Sequence, residues 1–349
     1  LNGKLRGVIS TFDAGNLVID KLNENDVYIA YHDKNLVDKP VFNCDTKSIR
    51  ESNNILPKIE QNVNCNPFSI RKCVRVYYEL SHGVFIGNNS SVQNTIDWIT
   101  SVHNVVNVLY ADNGLKVAIS EIFIWQVNDP YDGTTQDNLE LFKNNTNTFN
   151  GNLAHLIDYG GGGGRAFLDS LCSPSNYAFS GVSDYYDPFP FYSSTINIIS
   201  HEMGHSLGSP HTHACFWNDD NTAIDSCGPI AGFSEGCDNG PIPSNGGTIM
   251  SYCNILQTGV NFSIGFHPQV EEFLINNLET KSCLGNNCID NTIEKETTFQ
   301  INQPDLNNVD INITDSIFTS WDYRFYDISN GPTGAFTTTN SKDLNFNNI

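Results

Sequence analysis

One stretch limits this chain more than any other: His201-Glu-Met-Gly-His205-Ser-Leu-Gly208-Ser-Pro-His211. It holds three histidines, four and then six residues apart, with Glu202 directly after the first. Ile196, Ile198, Ile199, Met203 and Leu207 predict a largely buried helix. Ser194 or Thr195 would cap its start, and Gly208 would end it in a left-handed turn. A single histidine on such a helix reads as a hydrogen-bonded core residue. Two at i and i+4 lie on one face, a turn apart, so both imidazoles reach one ion. The turn at Gly208 lets His211 return as a third ligand. Three protein ligands leave a position for water, the mark of a catalytic zinc site rather than a closed structural one. Glu202 stands beside that position, placed to take the water's proton and hand it to a leaving amine.

The pattern His-Glu-x-x-His-x-x-Gly-x-x-His resembles the long zinc signature of the metzincin peptidases. The resemblance implies a second element downstream, a tight turn around a methionine beneath the zinc. The chain has two methionines, Met203 inside the motif and Met250 in Gly246-Gly-Thr-Ile-Met-Ser-Tyr-Cys253. By resemblance, Met250 packs under the three imidazoles as an apolar floor. Tyr252 looks like the tyrosine of serralysin- and astacin-type turns, which ligates zinc and swings to hold the transition-state oxyanion; a plain core tyrosine is the other reading.

The whole chain narrows the function classes. Its 349 residues suit one large or two ordinary domains. A formal net charge of −21, with only 18 Lys and Arg, opposes binding to nucleic acid or an anionic membrane. No apolar run approaches the length of a membrane span. The start at Leu1, without a signal peptide, places the beginning of the chain inside a longer precursor. Ten cysteines fit a secreted protein better than a cytosolic one. Without a Cys-x-x-Cys pair they read as disulfides rather than a zinc knuckle.

Along the chain, residues 1–70 alternate short apolar runs with polar turns and predict small strands. Residues 73–86 predict a strand, and 90–110 a helix with Val92, Ile96, Ile99, Val106 and Tyr110 inward. A strand at 114–125, a shorter helix at 137–149 and a strand at 152–158 follow. Gly160 to Gly164 lack the lysine of a phosphate loop and read as a flexible surface loop. After a Tyr- and Pro-rich stretch comes the zinc helix, then an irregular Gly/Asn-rich span up to Met250. A last helix opens at Pro268, with Val270, Phe273, Leu274 and Leu278 inward. This alternation predicts an α/β sheet domain.

That order resembles the adamalysin (reprolysin) branch of the metzincins over roughly residues 73–284. Two positions depart from that branch. Thr212 follows the third histidine where adamalysins usually place Asp, and the turn's Met-Ser-Tyr is closer to serralysins. The resemblance implies that Arg165, Ala166, Phe167 and Leu168 form a sheet-edge strand pairing with an extended substrate. It also implies a Cys172–Cys283 disulfide. A calcium ion away from the zinc would be held by Glu79, Asn152 and Asn286, with Asn152 replacing a usual carboxylate.

Residues 289–349 alternate apolar and polar with β-branched and aromatic residues, including Trp321. They resemble the first half of a fibronectin type III-like β-sandwich. The domain expectation is therefore 1–70 as the end of a pro-domain, 71–284 as a metzincin catalytic domain, and 285–349 as a partial sandwich or linker. The expected function is a monomeric, secreted zinc metalloendopeptidase made as a zymogen and acting on proteins or peptides. The alternative is a catalytically inactive metzincin-like binding or adhesion protein.

The irregular span after the zinc helix has too few apolar residues to order itself by burial. Cys215–Cys253 around it and Cys227–Cys237 within it are the expected disulfides, with Cys65–Cys73 in the N-terminal region. "PVFNCDTKS", residues 40–48, resembles the segment whose cysteine silences metzincin precursors by occupying the open zinc position, as zinc–thiolate chemistry allows. Pro40, Cys44 and Thr46 match that segment, while Asp45 replaces its glycine. Two alternatives stand beside this switch: Cys44 in a disulfide, or an astacin-like aspartate switch through Asp45. A switch at Cys44 would leave one other cysteine unpaired, for which Cys288 is the candidate.

Overall fold

The computed structural model describes residues 6–21, 28–36, 42–46, 72–160, 162–183, 192–285 and 288, and backbone strands between 299 and 347. Three N-terminal strands, β1 (Gly7–Thr11), β2 (Gly15–Lys21) and β3 (Tyr28–His32), form an antiparallel sheet in the order β1-β2-β3. Next come β4 (Asn43–Cys44), β5 (Cys73–Leu80), β6 (Lys116–Ile124), β7 (Leu153–Tyr159), β8 (Gly163–Ala166) and β9 (Tyr177–Val182). These make one mixed sheet in the order β4-β8-β9-β7-β5-β6. Strands β6, β5, β7 and β9 are parallel, β8 is antiparallel to β9, and the two-residue β4 lies parallel to β8 at the edge.

The central strands are apolar on both faces, as a strand covered on both sides must be. In β5 every residue but Arg75 is buried, and β9 is buried throughout. Strand β9 was not expected from its sequence, because the glycine and serine in "YAFSGV" hide the periodicity. Strand β5 also ends sooner than expected. Residues His82–Gly87 form a short helix, α1, started by the Ser81 hydroxyl accepting from the Val84 amide.

Helix α2 (Val92–Asp112) runs between β5 and β6 and turns Trp98, Ile99, Val102, Val106 and Tyr110 into the core. Val92 stays outside. Helix α3 (Thr135–Asn145) opens on a capping box between Thr134 and Asp137. Helix α4 (Tyr192–Ser206) carries the zinc motif and begins earlier than the caps expected at Ser194 or Thr195. Every residue in it except Ser194 is buried. Tyr110 Oη donates to the Ser200 carbonyl at 2.7 Å, tying α2 to α4. Helix α5 (Cys227–Ile230) is a single turn, and α6 (Pro268–Thr280) buries Val270, Phe273, Leu274 and Leu278 as its spacing predicts.

The N-terminal sheet sits on the same core. Val18, Ile29 and Tyr31 are buried in one apolar cluster with Tyr192, Ile196 and Ile199 of α4. Asn16 clasps the chain after the Met250 turn: its Nδ2 donates to the Val260 carbonyl at 2.7 Å and its Oδ1 accepts from the Phe262 amide at 2.9 Å. Further along, β10 (Phe299–Asp305), β11 (Asn308–Ile313), β12 (Trp321–Asp327), β13 (Gly331–Thr339) and β14 (Asp343–Asn347) pair as β10-β11-β14 and β12-β13. Among the described residues no helix is long and apolar enough to cross a membrane.

Candidate metal centre and cleft

Helix α4 presents His201 and His205 on one face, and the backbone at Gly208 takes φ +118°. A side chain there would also meet Asn277, whose Nδ2 caps the helix by donating to the Leu207 carbonyl at 2.7 Å. The turn brings His211 back. The Nδ1 of His201 faces the Ile249 carbonyl at 2.7 Å, that of His205 the Ser209 carbonyl at 2.7 Å, and that of His211 the Glu235 carboxylate at 2.8 Å. Each of those oxygens is an acceptor, so each Nδ1 carries the proton and each Nε2 is left with a lone pair. His205 Nε2 lies 3.2 Å from His201 Nε2 and 3.0 Å from His211 Nε2. Three buried lone pairs converge with no proton to share, which is repulsive unless a cation stands among them. Burial lowers all three imidazole pKa values, that of His201 to about 4, which keeps the rings in the neutral, ligating form.

Three close approaches fix what packs around the helix at this cluster. Met250 is fully buried, and a Cβ on Gly204 would come within 2.4 Å of its sulfur, so the helix must be bare where the thioether packs. Thr212, standing where the related branch usually has Asp, donates from its amide to the Met250 carbonyl at 3.1 Å and joins the motif to the turn. A Cβ on Gly164 would come within 2.3 Å of Glu202 Oε1. Gly163 and Gly164 belong to strand β8, beside the two-residue β4, and not to a surface loop. The strand covers Gly163–Ala166, two residues earlier than the expected Arg165–Leu168; Phe167 and Leu168 lie beyond it.

Glu202 is fully buried, and desolvation pushes its carboxyl up to about 8, eased by hydrogen bonds from Cys44 and Thr46.

The segment 42–46 lies across these groups. Cys44 Sγ is 3.4 Å from His205 Nε2, and its ligand atom and those of the three histidines all lie within 4.8 Å of one another. Cys44 is a free, buried cysteine. Burial, and then the neighbouring Glu202, push its thiol well above the ordinary value, so a thiolate here requires a cation. Three imidazole nitrogens and one thiolate sulfur, at tetrahedral reach, are a zinc donor set.

The Thr46 hydroxyl donates to Glu202 Oε2 at 3.1 Å and accepts from the Ala166 amide at 2.8 Å. Tyr252 Oη donates to the Cys44 carbonyl at 2.5 Å. Phe42 fills an apolar pocket with Ile198, Cys227, Tyr252 and Cys253, its ring edge-on to His201 with centroids 5.2 Å apart. Asp45 points elsewhere: its carboxylate accepts from the Thr135 hydroxyl and its carbonyl from Arg165 at 2.9 Å. Between the two switch residues considered, it is Cys44 that faces the histidines.

The disulfides differ from expectation. The bonds are Cys73–Cys288, Cys172–Cys283, Cys215–Cys237 and Cys227–Cys253. The expected Cys215–Cys253 and Cys227–Cys237 are exchanged because the span folds back twice. Ala214 bridges Gly236, which sets Cys215 beside Cys237, while α5 tucks Cys227 under Tyr252 and Cys253. Cys73 bonds Cys288, so neither the expected Cys65–Cys73 link nor an unpaired Cys288 is present; Cys65 itself lies outside the described residues.

Two of the expected calcium ligands, Glu79 and Asn152, are not brought together. Glu79 accepts from Tyr77, Trp125, Tyr131 and Thr146. Asn152 bridges the Arg75 amide and the Cys283 carbonyl, four residues away along β5, roughly 13 Å at strand rise. Asn286 lies outside the described residues. Sequence reasoning missed Glu235, Phe42 and Gly164. None has a spacing signal, since each reaches the centre from a distant segment.

A mixed sheet above a buried helix with a converging histidine cluster defines a metallopeptidase. The Reprolysin_5 profile, Metallo-peptidase family M12, matches residues 79–263, more than half of the chain, and the chain belongs to that family. Its members use zinc, which the donor set fits. A zinc metalloproteinase/disintegrin of Bitis gabonica is 23% identical over 141 residues, covering 37% of this chain and 42% of the relative. The chain therefore spans less than half the length of that curated relative. Among solved structures, metalloproteinase-II from Bacteroides fragilis is similar at 16% identity over 54% of each chain, with a TM-score of 0.32. A chain from a chaperone–substrate complex is similar at 12% identity over 41% of this chain and 24% of that one, also with a TM-score of 0.32.

Proposed function

We propose that this chain is a secreted, monomeric zinc metalloendopeptidase made as a zymogen, latent because its own residues 42–46 lie in its cleft. The observation that carries the reading is the free Cys44 thiol 3.4 Å from His205 Nε2, where three imidazole lone pairs already converge beside Glu202. Residues 1–70 act as the end of a pro-domain, 71–284 as the catalytic domain, and 285–349 as a partial sandwich.

His201, His205 and His211 hold the ion. Zinc, when bound, supplies Lewis acidity toward the scissile carbonyl and lowers the pKa of the attacking water. The chain's own groups do the rest. Strand β8 offers backbone groups to an extended peptide, the place β4 now takes. Glu202 accepts the proton of the attacking water on its carboxylate and delivers it to the leaving amine nitrogen. Tyr252 donates its hydroxyl to the carbonyl oxygen as charge develops there; it now donates to the carbonyl of Cys44. The pocket that holds Phe42 takes a large apolar side chain of the substrate.

The test is hydrolysis of a generic peptide mixture by the zinc-loaded chain, intact and after a cut between residues 46 and 72, with and without a chelator. The cut form should be active and chelator-sensitive, the intact form silent, and Cys44→Ala active before any cut. A cut, folded, zinc-loaded chain that hydrolyses no peptide bond overturns the reading.

A further inference from the structure

Two of the three histidine ligands are oriented by backbone carbonyls, those of Ile249 and Ser209. The third is oriented differently: His211 Nδ1 meets the Glu235 carboxylate at 2.8 Å. We infer that Glu235 is a positioning residue for the metal centre, fixing the tautomer and ring plane of His211 and raising the donor strength of its Nε2. The inference rests on reading the three histidines as zinc ligands.

The placement of Glu235 is built. The Cys215–Cys237 disulfide has its Cα atoms 5.3 Å apart and straddles Glu235, and Ala214 bridges Gly236 beside it. Gly236 takes φ +98°, a conformation that a side chain would strain, and this turns the chain so that Glu235 points inward. On the other side, His213 stacks on the His211 ring with centroids 4.9 Å apart and planes 9° from parallel; its Nε2 is 3.9 Å from the same Glu235 oxygen. His211 is thus clamped edge-on by a carboxylate and face-on by a second imidazole.

His211 follows the helix-ending turn and lacks the rigidity that α4 gives His201 and His205. An imidazole that donates to a carboxylate is a stronger electron donor than one that donates to an amide carbonyl, and loss of such a partner typically weakens metal binding 10–100-fold. The disulfide therefore holds a metal-tuning carboxylate in place as well as bracing a loop.

The experiment measures zinc affinity of the full chain by competition with a chromogenic chelator, for wild type, Glu235→Gln and Glu235→Ala. Melting of the zinc-free proteins is measured alongside. The expected result is a zinc dissociation constant about 10–100-fold weaker for Glu235→Ala. Glu235→Gln, which keeps the acceptor and the volume but loses the charge, should fall between. Zinc-free melting temperatures should be unchanged. Wild-type affinity in both variants overturns the inference. So does equal loss of zinc-free stability and affinity in both, which marks a purely structural residue. A wild-type chain that takes up no zinc strikes the metallopeptidase reading itself.

Discussion

At the scale of single residues, the centre assigns separate tasks to neighbours. Glu202 faces residues 44–46 and His205 the other two imidazoles, although they share one helix. Glu202→Ala should keep the metal and lose at least 10²-fold in the peptidase rate of the cut form, the lower end of general acid–base help. His205→Ala should lose zinc, read by metal analysis; normal turnover by zinc-loaded Glu202→Ala would remove the proposed role. Gly204 offers a test of packing. On an exposed helix, Gly→Ala gains about 1 kcal/mol. Here the new methyl would lie 2.4 Å from the sulfur of a fully buried Met250, and overpacking costs about 1–3 kcal/mol. Gly204→Ala should therefore lower the melting temperature. An increase would show that Met250 can move aside.

At the scale of elements, the cleft is made by one helix, one edge strand and one irregular span. The helix is held by burial on nearly every side. Strand β8 runs close to α4 because Gly164 has no side chain to hold it off. The span from Trp217 to Gly247 has little apolar surface, and covalent links replace the burial it lacks. The Cys227–Cys253 bond joins α5 to the turn that carries Met250 and Tyr252. Replacing both cysteines by alanine should cost about 2–4 kcal/mol in denaturant unfolding. Peptide mapping without reduction should recover 215–237 and 227–253 linked peptides; a 215–253 peptide would contradict this arrangement.

At the scale of the molecule, two features set how the protein responds to acid and to cleavage. His103 and His155 are buried and neutral, lowered by desolvation to about 4 and about 3. Between those values and 6.5 the unfolded chain binds protons that the folded chain does not. Stability then rises with pH in this window and falls as acid is added. His155→Gln cannot titrate, so the stability gap between it and wild type should shrink from pH 7 to pH 4 in thermal melts. A gap that stays constant would mean that His155 is not buried neutral. The N-terminal sheet, in turn, is fastened by packing on α4 and by the Asn16 clasp. After a cut between residues 46 and 72 such contacts alone retain the fragment, so it should dissociate on dilution and elute separately on size exclusion as activity appears. Asn16→Ala, which removes two buried hydrogen bonds and strands their partners at about 1–3 kcal/mol each, should speed that release.

The convergence of His201, His205 and His211, the turn at Gly208 and the inward face of α6 are legible in the sequence, because each is a local regularity. Helical spacing puts His201 and His205 on one face whatever surrounds them, and glycine alone is at ease at φ +118°. The Cys44 segment was legible only as one of three options, because proximity to a histidine cluster that begins 157 residues away leaves no periodic trace. The tertiary structure decided the rest: that Cys44 and not Asp45 faces the histidines, that Glu235 orients His211, that Gly164 clears room for Glu202, and which cysteines pair. Each of these is a contact between segments far apart in the chain, fixed by how helix, edge strand and irregular span pack together, and local sequence carries no record of that packing.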